Sequence, residues 1–227
     1  MARRKSDWLS PTKQRLLMEE LRKERKKKII THIILGVVVL VALGLIIMGA
    51  IMASRPYYAD IEIEGYGTIT IKLNDDEAPI TVEQFVSLAE DGFYDGTTIP
   101  RVLKDDMLCG GFKASGEAPS SIKGEFSKNG VENNISHTRG VISMLRKSPT
   151  DGGYGDEEAN YYDTATNEFF IMQRDNLELD TYYAGFGIVV DGMDIVDEIC
   201  NNVESQDGLV AEENRPVIKT ITIRRSK

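Results

Sequence analysis

The chain is poor in the groups that carry most hydrolytic, redox and metal chemistry. Its 227 residues hold two cysteines and two histidines. Cys109 and Cys200 are too few for a disulfide framework. An outward-facing domain permits one bridge, yet Cys109 follows an apolar strand and Cys200 ends a helix-like run, and they read as two unpaired thiols. A histidine-based triad would hang on His137 alone. Its setting, NISHTRGVIS, is a turn before a strand and favours a structural role. No HExxH pair, Cys-x-x-Cys or phosphate-cradling loop occurs. The acidic stretch TDGGYGDEEANYYD (150–163) lacks the spacing of a calcium loop and reads as a solvated insertion. No metal or cofactor is expected. Asn134-Ile135-Ser136 fits a glycosylation acceptor, which matters only in a host that glycosylates exported proteins. There is no internal repeat or low-complexity tract.

A second absence organises the chain. Residues 29–53, IITHIILGVVVLVALGLIIMGAIMA, contain no Asp, Glu, Lys or Arg. As a helix they exceed the ~20 residues that cross a hydrocarbon core. Residues 1–28 carry eleven Lys/Arg against four acids, a net +7, and RKERKKK (22–28) abuts the apolar run. Residues 55–227 carry sixteen bases and thirty-two acids, a net −16. The positive-inside bias places 1–28 in the cytoplasm and the acidic remainder outside. A cleaved signal peptide is the competing reading. The run is longer than a signal core of ~7–15 residues and AIMASRP has no A-x-A pattern, so a retained signal-anchor is expected. The cluster at 22–28 suits anionic lipid headgroups, and an acidic domain is a poor partner for nucleic acid. His32, near the cytoplasmic end, reads as an interfacial side chain. The expected organisation is a basic cytoplasmic segment (1–28), a transmembrane helix (29–53), a short linker (54–57) and one folded domain (58–227).

From residue 58 the period changes. ADIEIEG and GTITIKLN alternate like half-buried strands, with Gly65-Tyr66-Gly67 as a hairpin turn. APITVEQFVSLAEDGFYDG reads as a helix whose apolar stripe is Val82, Phe85, Val86 and Ala89; Thr81 with Gln84 resembles a capping box. Strand-like runs follow at 99–103, 107–110, 141–146, 168–173, 184–190 and 217–224, and GMDIVDEICNN is a second helix. Many strands with two isolated helices exclude a doubly wound sheet. They predict a mainly β domain: a closed eight-stranded antiparallel barrel capped by two helices and preceded by one transmembrane helix.

One stretch breaks the pattern. IPRVLKDDMLCGG (99–111) reads as an apolar hairpin, yet Arg101 sits inside its first strand. TVEQFVSLAEDGFYDGT, then Arg101 with the Gly pair nine residues later, IKGEF, HTRGVISM, FFI, and FG followed by GMDIVDEI recur in this order in the cyclophilin family. From about residue 58 to the C-terminus the chain resembles that family of peptidyl-prolyl isomerases, as a membrane-tethered bacterial member. The resemblance implies an eight-stranded barrel with a groove for proline-containing segments of unfolded or partly folded proteins. It makes Arg101 the catalytic arginine and Phe170 the floor of the proline pocket. Met107 and Leu179 fall on further apolar pocket positions. The chain departs from the family at other site positions. Asp106 replaces an aromatic, Cys109 and Glu168 replace glutamines, and Tyr183 replaces a histidine. Glu178 stands where tryptophan or histidine is common, and Pro100 where histidine usually precedes the arginine. Leu145-Arg146-Lys147 replaces a run of small residues, and extra residues lie between Pro149 and Glu168.

Rotation about a peptide bond meets a barrier of ~18–20 kcal/mol from amide resonance. X-Pro bonds populate both isomers and exchange over tens of seconds or longer. A catalyst needs no nucleophile or metal; it must favour the twisted amide, whose nitrogen becomes pyramidal and basic. A fixed guanidinium can donate a hydrogen bond to that nitrogen. The expected function is prolyl isomerisation at the outer face of the membrane, aiding secreted or surface proteins. The alternatives are a catalytically weak or inactive cyclophilin-fold module that binds peptides or proteins in an acidic groove, and a structural membrane protein whose basic head recruits a cytoplasmic partner.

Overall fold

The computed structural model describes residues 10–53, 56–114, 116, 118–148 and 158–225. The chain forms two compact units, Met1–Arg55 and Pro56–Lys227. In the first, helix α1 (Pro11–Ala53) runs unbroken for 43 residues. The change from charged to apolar residues at 28/29 leaves no mark on the backbone. At 1.5 Å per residue α1 is about 65 Å long. It is long and apolar enough to cross a membrane, and its apolar residues as far as Met48 are exposed. Of the expected linker, Ser54 and Arg55 lie outside the described residues, and Tyr57 already opens the first strand.

The second unit is one antiparallel sheet, strongly curled. Its strands are β1 (Tyr57–Ile63), β2 (Gly67–Leu73), β3 (Thr97–Thr98), β4 (Arg101–Leu103) and β5 (Met107–Gly110), then β6 (Val141–Met144), β7 (Phe169–Met172), β8 (Ala184–Asp191) and β9 (Val217–Arg225). Their order is β3-β9-β1-β2-β8-β6-β7-β5-β4. This corrects the expected closed eight-stranded barrel: nine strands form the ladder, and β3 and β4 are its two ends. Thr98 makes an isolated bridge to Phe112, just beyond β5, through N–H···O bonds of 2.9 and 3.2 Å. Two residues of Thr97–Thr98 are too few to show a period in the sequence.

Alternation explains the core. Ala59, Ile61 and Ile63 of β1 and Ile69, Ile71 and Leu73 of β2 are buried, with their neighbours facing out. Helix α2 (Pro79–Glu90) packs on β8 and β9, and α3 (Met193–Asn202) packs on β2, β4 and β5. Phe85 of α2 lies 5.3 Å from Tyr94, 5.8 Å from Phe169 and 5.2 Å from Phe186, ring centre to ring centre.

The start of α2 differs from the capping box. The N-cap is Ala78, with Pro79 opening the helix and no side-chain cap from within it. Glu125, 2% exposed, reaches in from a distant loop. Its carboxylate accepts the N–H groups of Ile80 (3.1 Å) and Thr81 (2.8 Å) and the Thr81 hydroxyl (2.7 Å). Unpaired N–H donors and the positive end of the helix dipole make this a favourable place for an anion. Gln84 instead donates to the carbonyls of Ser120 and Thr166. Replacing Glu125 by alanine would leave these donors buried without an acceptor. Glu125→Ala is expected to lose about 2 kcal/mol or more of unfolding free energy, read as a lowered urea midpoint with an unchanged slope.

Candidate active site

Strands β6 and β7 are buried on both faces, β5 nearly so, and β4 only on its inner face; alternation sorts their side chains. Val102, Leu108, Ile171 and Ile142 face the barrel core. The register places Arg101 opposite Cys109, Cys109 opposite Phe170, and Phe170 opposite Ser143. Residues directly opposite share a face, so these four form one row on the outer side of the sheet. The next row holds Leu103, Met107 and Met172. On the other side, Leu145 donates its N–H to the Glu168 carbonyl at 2.8 Å.

A small apolar cluster covers this outer face, separate from the main core. Cys109, Val141, Phe170 and Met172 are its buried members, and Met107, Ile135, Leu145, Leu179 and Tyr183 pack against them. Six residues singled out in the sequence therefore meet here: Phe170, Met107, Leu179, Cys109, Tyr183 and Leu145. Phe170 is 1% exposed. Tyr183 meets its ring edge-on at 5.4 Å, and His137 stacks against it at 5.8 Å.

The charged candidates surround the cluster. Arg101 is exposed at the β4 end of the row, two strand spacings, about 9–10 Å, from Phe170. Its guanidinium makes no hydrogen bond or ion pair among the described residues. Asp106 sits in the three-residue turn from β4 to β5. Asp105, the middle residue, adopts φ 63°, donates its N–H to Gln173 Oε1 at 2.7 Å and pairs with Arg174 at 2.9 Å. The Asp106 carbonyl accepts the N–H groups of Gln173 and Arg174. Glu168 is half-buried beside a cavity of about 410 Å3 that Lys113 and Lys147 also line. The expected acidic groove is thus mixed in charge at both places: Lys104 and Arg174 accompany Asp105 and Asp106 at the turn, and Lys113 and Lys147 accompany Glu168. Glu178 is exposed on a short helical turn ahead of Leu179.

Burial pushes the Cys109 thiol up to about 12; Arg101 opposes this, and Glu168 and Asp106 add to it. The thiol is therefore neutral near pH 7 and no nucleophile. Burial, with Asp197, Cys109 and Asp106 adding to it and Arg139 opposing, likewise pushes Cys200 up to about 12. Both cysteines are free and buried.

One supporting element has no counterpart in the sequence reading. Residues 205–210 run beside β4. Val102 N–H donates to the Gly208 carbonyl (2.8 Å), Val210 N–H to the Pro100 carbonyl (2.9 Å), and Ser205 Oγ to the Val102 carbonyl (2.9 Å). Gln206 and Leu209 exchange hydrogen bonds around Asp207 (φ 51°) and Gly208 (φ 80°). An Asp-Gly pair with both residues left-handed is the signature of a tight hairpin turn. A Cβ on Gly208 would fall 2.6 Å from Leu103 Cδ2 and 3.6 Å from Arg101 Nε. The strand that presents Arg101 lies directly against this turn.

A family profile described as "Cyclophilin type peptidyl-prolyl cis-trans isomerase/CLD" matches residues 58–227. The chain belongs to the cyclophilin-type peptidyl-prolyl cis-trans isomerases. It is 31% identical over 186 residues to a peptidyl-prolyl cis-trans isomerase of Acinetobacter baylyi, covering 78% of this chain and 92% of the relative. It is also 31% identical over 160 residues to peptidyl-prolyl cis-trans isomerase B of Escherichia coli, covering 70% and 94%. A cyclophilin-type isomerase of Cryptosporidium parvum has the same fold, with a TM-score of 0.62 at 20% identity over 76% of this chain and 99% of that one. The same protein was also solved in the presence of the dipeptide Ala-Pro, where the TM-score is 0.61. Isomerisation is thus the reaction class of this cyclophilin.

Beneath the apolar cluster the cyclophilin domain carries a buried polar relay. His137 Nδ1 lies 2.8 Å from Asp180 Oδ1, and Nε2 lies 3.0 Å from Ser143 Oγ. Asp180 also accepts the His137 N–H at 2.6 Å. With Asp180 ionised, Nδ1–H donates to it and Nε2 accepts the Ser143 hydroxyl. Order and distances resemble a hydrolase triad, but Ser143 and His137 are both 0% exposed and no substrate carbonyl can reach the hydroxyl. The relay instead braces the strand and turn behind Phe170. Burial is the largest influence on His137 and lowers its pKa; Asp180 opposes that shift. Partial burial works against ionising Asp180, yet hydrogen bonds from His137 and Ser136 hold its pKa below the usual carboxylate value.

Because the folded pKa of His137 is lowered, the unfolded chain binds that proton more readily. Its contribution is complete above the ordinary imidazole pKa of ~6.5 and declines as pH falls below it. Unfolding free energy is expected to be level near pH 7–8 and to fall between roughly pH 6.5 and 5. The same titration on His137→Gln should lose most of that slope; an unchanged slope would assign it to other groups.

Proposed function

We propose that this cyclophilin is a single-pass membrane enzyme that isomerises X-Pro bonds in unfolded or partly folded secreted or surface proteins. Residues 1–28 lie in the cytoplasm, with 22–28 near anionic headgroups. Residues 29–53 are the signal-anchor; the linker, expected over 54–57, stops short of Tyr57, which opens the outer domain. The uncharged run, the flanking RKERKKK and the unburied helix α1 support the anchor.

The observation that carries the catalytic reading is the row Arg101–Cys109–Phe170 on one face of β4, β5 and β7. Phe170 is the base of the proline cup, with Met107, Leu145, Leu179 and Tyr183 around it. Arg101 stands across the buried Cys109 and donates to the proline nitrogen as it pyramidalises. That nitrogen is a poor acceptor in either planar isomer, so the bond strengthens toward the twisted state. Arginine suits the role because its charge is permanent and its donors are rigid. The reaction needs no metal, cofactor or nucleic acid. A coupled isomerisation assay on the full chain should show turnover, and Arg101→Ala should cut kcat/KM about 100-fold, as loss of one preorganised donor does.

The second reading, a module that binds peptides with little turnover, draws on two observations. Asp106 replaces an aromatic wall, and Phe170 is only 1% exposed. Asp106→Phe is expected to lower KM several-fold if the missing wall limits capture. Asp106 and Glu178 at the rim favour basic residues beside the proline. Lys-flanked X-Pro peptides should bind more tightly than Glu-flanked ones, and equal affinity would remove the charge preference.

A further inference from the structure

Arg146 is 5% exposed, although its neighbour Lys147 is exposed. Its Nε donates to the Tyr182 carbonyl at 2.9 Å and an Nη to the Lys147 carbonyl at 3.0 Å. Its guanidinium carbon lies 4.8 Å from the Tyr183 ring centre, 5.3 Å from Tyr162 and 5.6 Å from Phe126. Phe126 and Tyr162 meet edge-on at 5.2 Å, closing two walls of an aromatic box. Tyr162 belongs to the segment between Pro149 and Glu168. That segment is anchored where Asp163 accepts the Gly124 N–H (3.0 Å) and an Asn129 amide hydrogen (2.7 Å). The third wall, Tyr183, is the ring that meets Phe170 edge-on.

We propose that Arg146 is a positioning residue for substrate capture: it ties the Tyr162 segment to the Tyr182–Tyr183 backbone and holds the Tyr183 ring beside Phe170. This rests on the reading of Phe170 and Tyr183 as the proline cup. A guanidinium fits where an ammonium does not. It is planar, it stacks on rings, and its fork reaches two carbonyls at once. Without it the Tyr183 ring regains rotamer freedom, and that freedom is lost again whenever a proline binds. The cost falls on capture, so KM should change while the twist step at Arg101 does not.

The test is the isomerisation assay on the full chain in detergent, with Arg146→Met, Arg146→Lys, Tyr183→Leu and each Arg146 variant combined with Tyr183→Leu. Arg146→Met is expected to raise KM about fivefold, the weight of one partly desolvated cation–ring contact, with kcat within about twofold. Arg146→Lys should lose nearly as much, because charge alone does not restore the fork. In the Tyr183→Leu background neither change should add more than about twofold, since the ring through which Arg146 acts is already gone. A full fivefold rise in that background, complete rescue by lysine, or an unchanged KM in the single variants would overturn the proposal. If Arg146→Met fails to fold, the cycle with Arg146→Lys decides the same question. Failure of the cup itself looks different: Phe170→Ala and Tyr183→Leu would then leave the wild-type KM unchanged.

Discussion

Everything at the site depends on strand register. β5 and β7 are buried on both faces, so each residue has one of two destinations, the barrel core or the outer cluster. Phe169 and Ile171 go inward, and Phe170 and Met172 go outward. A slip of one residue would exchange the sets and take Phe170 away from Arg101. Close approaches hold the register. A Cβ on Gly110 would come within 3.2 Å of the Phe169 ring, and one on Gly111 within 2.9 Å of the Asn167 carbonyl. The Asn167 amide donates to the Gly111 carbonyl at 2.8 Å. At the other end of β5, Gln173 holds the Asp105 turn and reaches Asp197 and Asn201 of α3.

The second organising feature is the placement of polar groups inside the fold. Glu125, His137 and Arg146 are all buried, and each joins segments far apart in the chain. Glu125 caps the start of α2, His137 links Asp180 to the strand beneath Phe170, and Arg146 links Tyr162 to Tyr183. Among the described residues, no buried side-chain nitrogen or oxygen lacks a hydrogen-bond partner. An unsatisfied buried group costs more than a paired one returns. These residues therefore act less as surplus stability than as conditions on which loops can coexist.

The sequence revealed what depends on local period. The alternation of β1 and β2, the stripe of α2 and the long uncharged run are visible without structure. The arginine inside an apolar strand was visible too, because it violates its own pattern. What depends on contacts across the chain was hidden. Thr97–Thr98 is too short to show a period. The cap of α2 comes from Glu125, more than forty residues beyond the helix start, while Thr81 and Gln84 imitated a local cap. Arg146 was visible only as a departure from small residues, and a charged side chain in a loop reads as solvated. The Asp207-Gly208 turn did carry a signal, the dipeptide itself, but nothing in the sequence connects it with Arg101.

Cys109 gives the row an unusual property. A thiol stands between the arginine and the phenylalanine in the middle of the row, yet burial keeps it protonated and 4% exposed. A thiol reagent reaches it only when the side chains of the outer cluster that cover it move aside. The rate at which Cys109 becomes labelled is therefore a clock for local opening. It reports how often the cover over the outer face of the sheet opens.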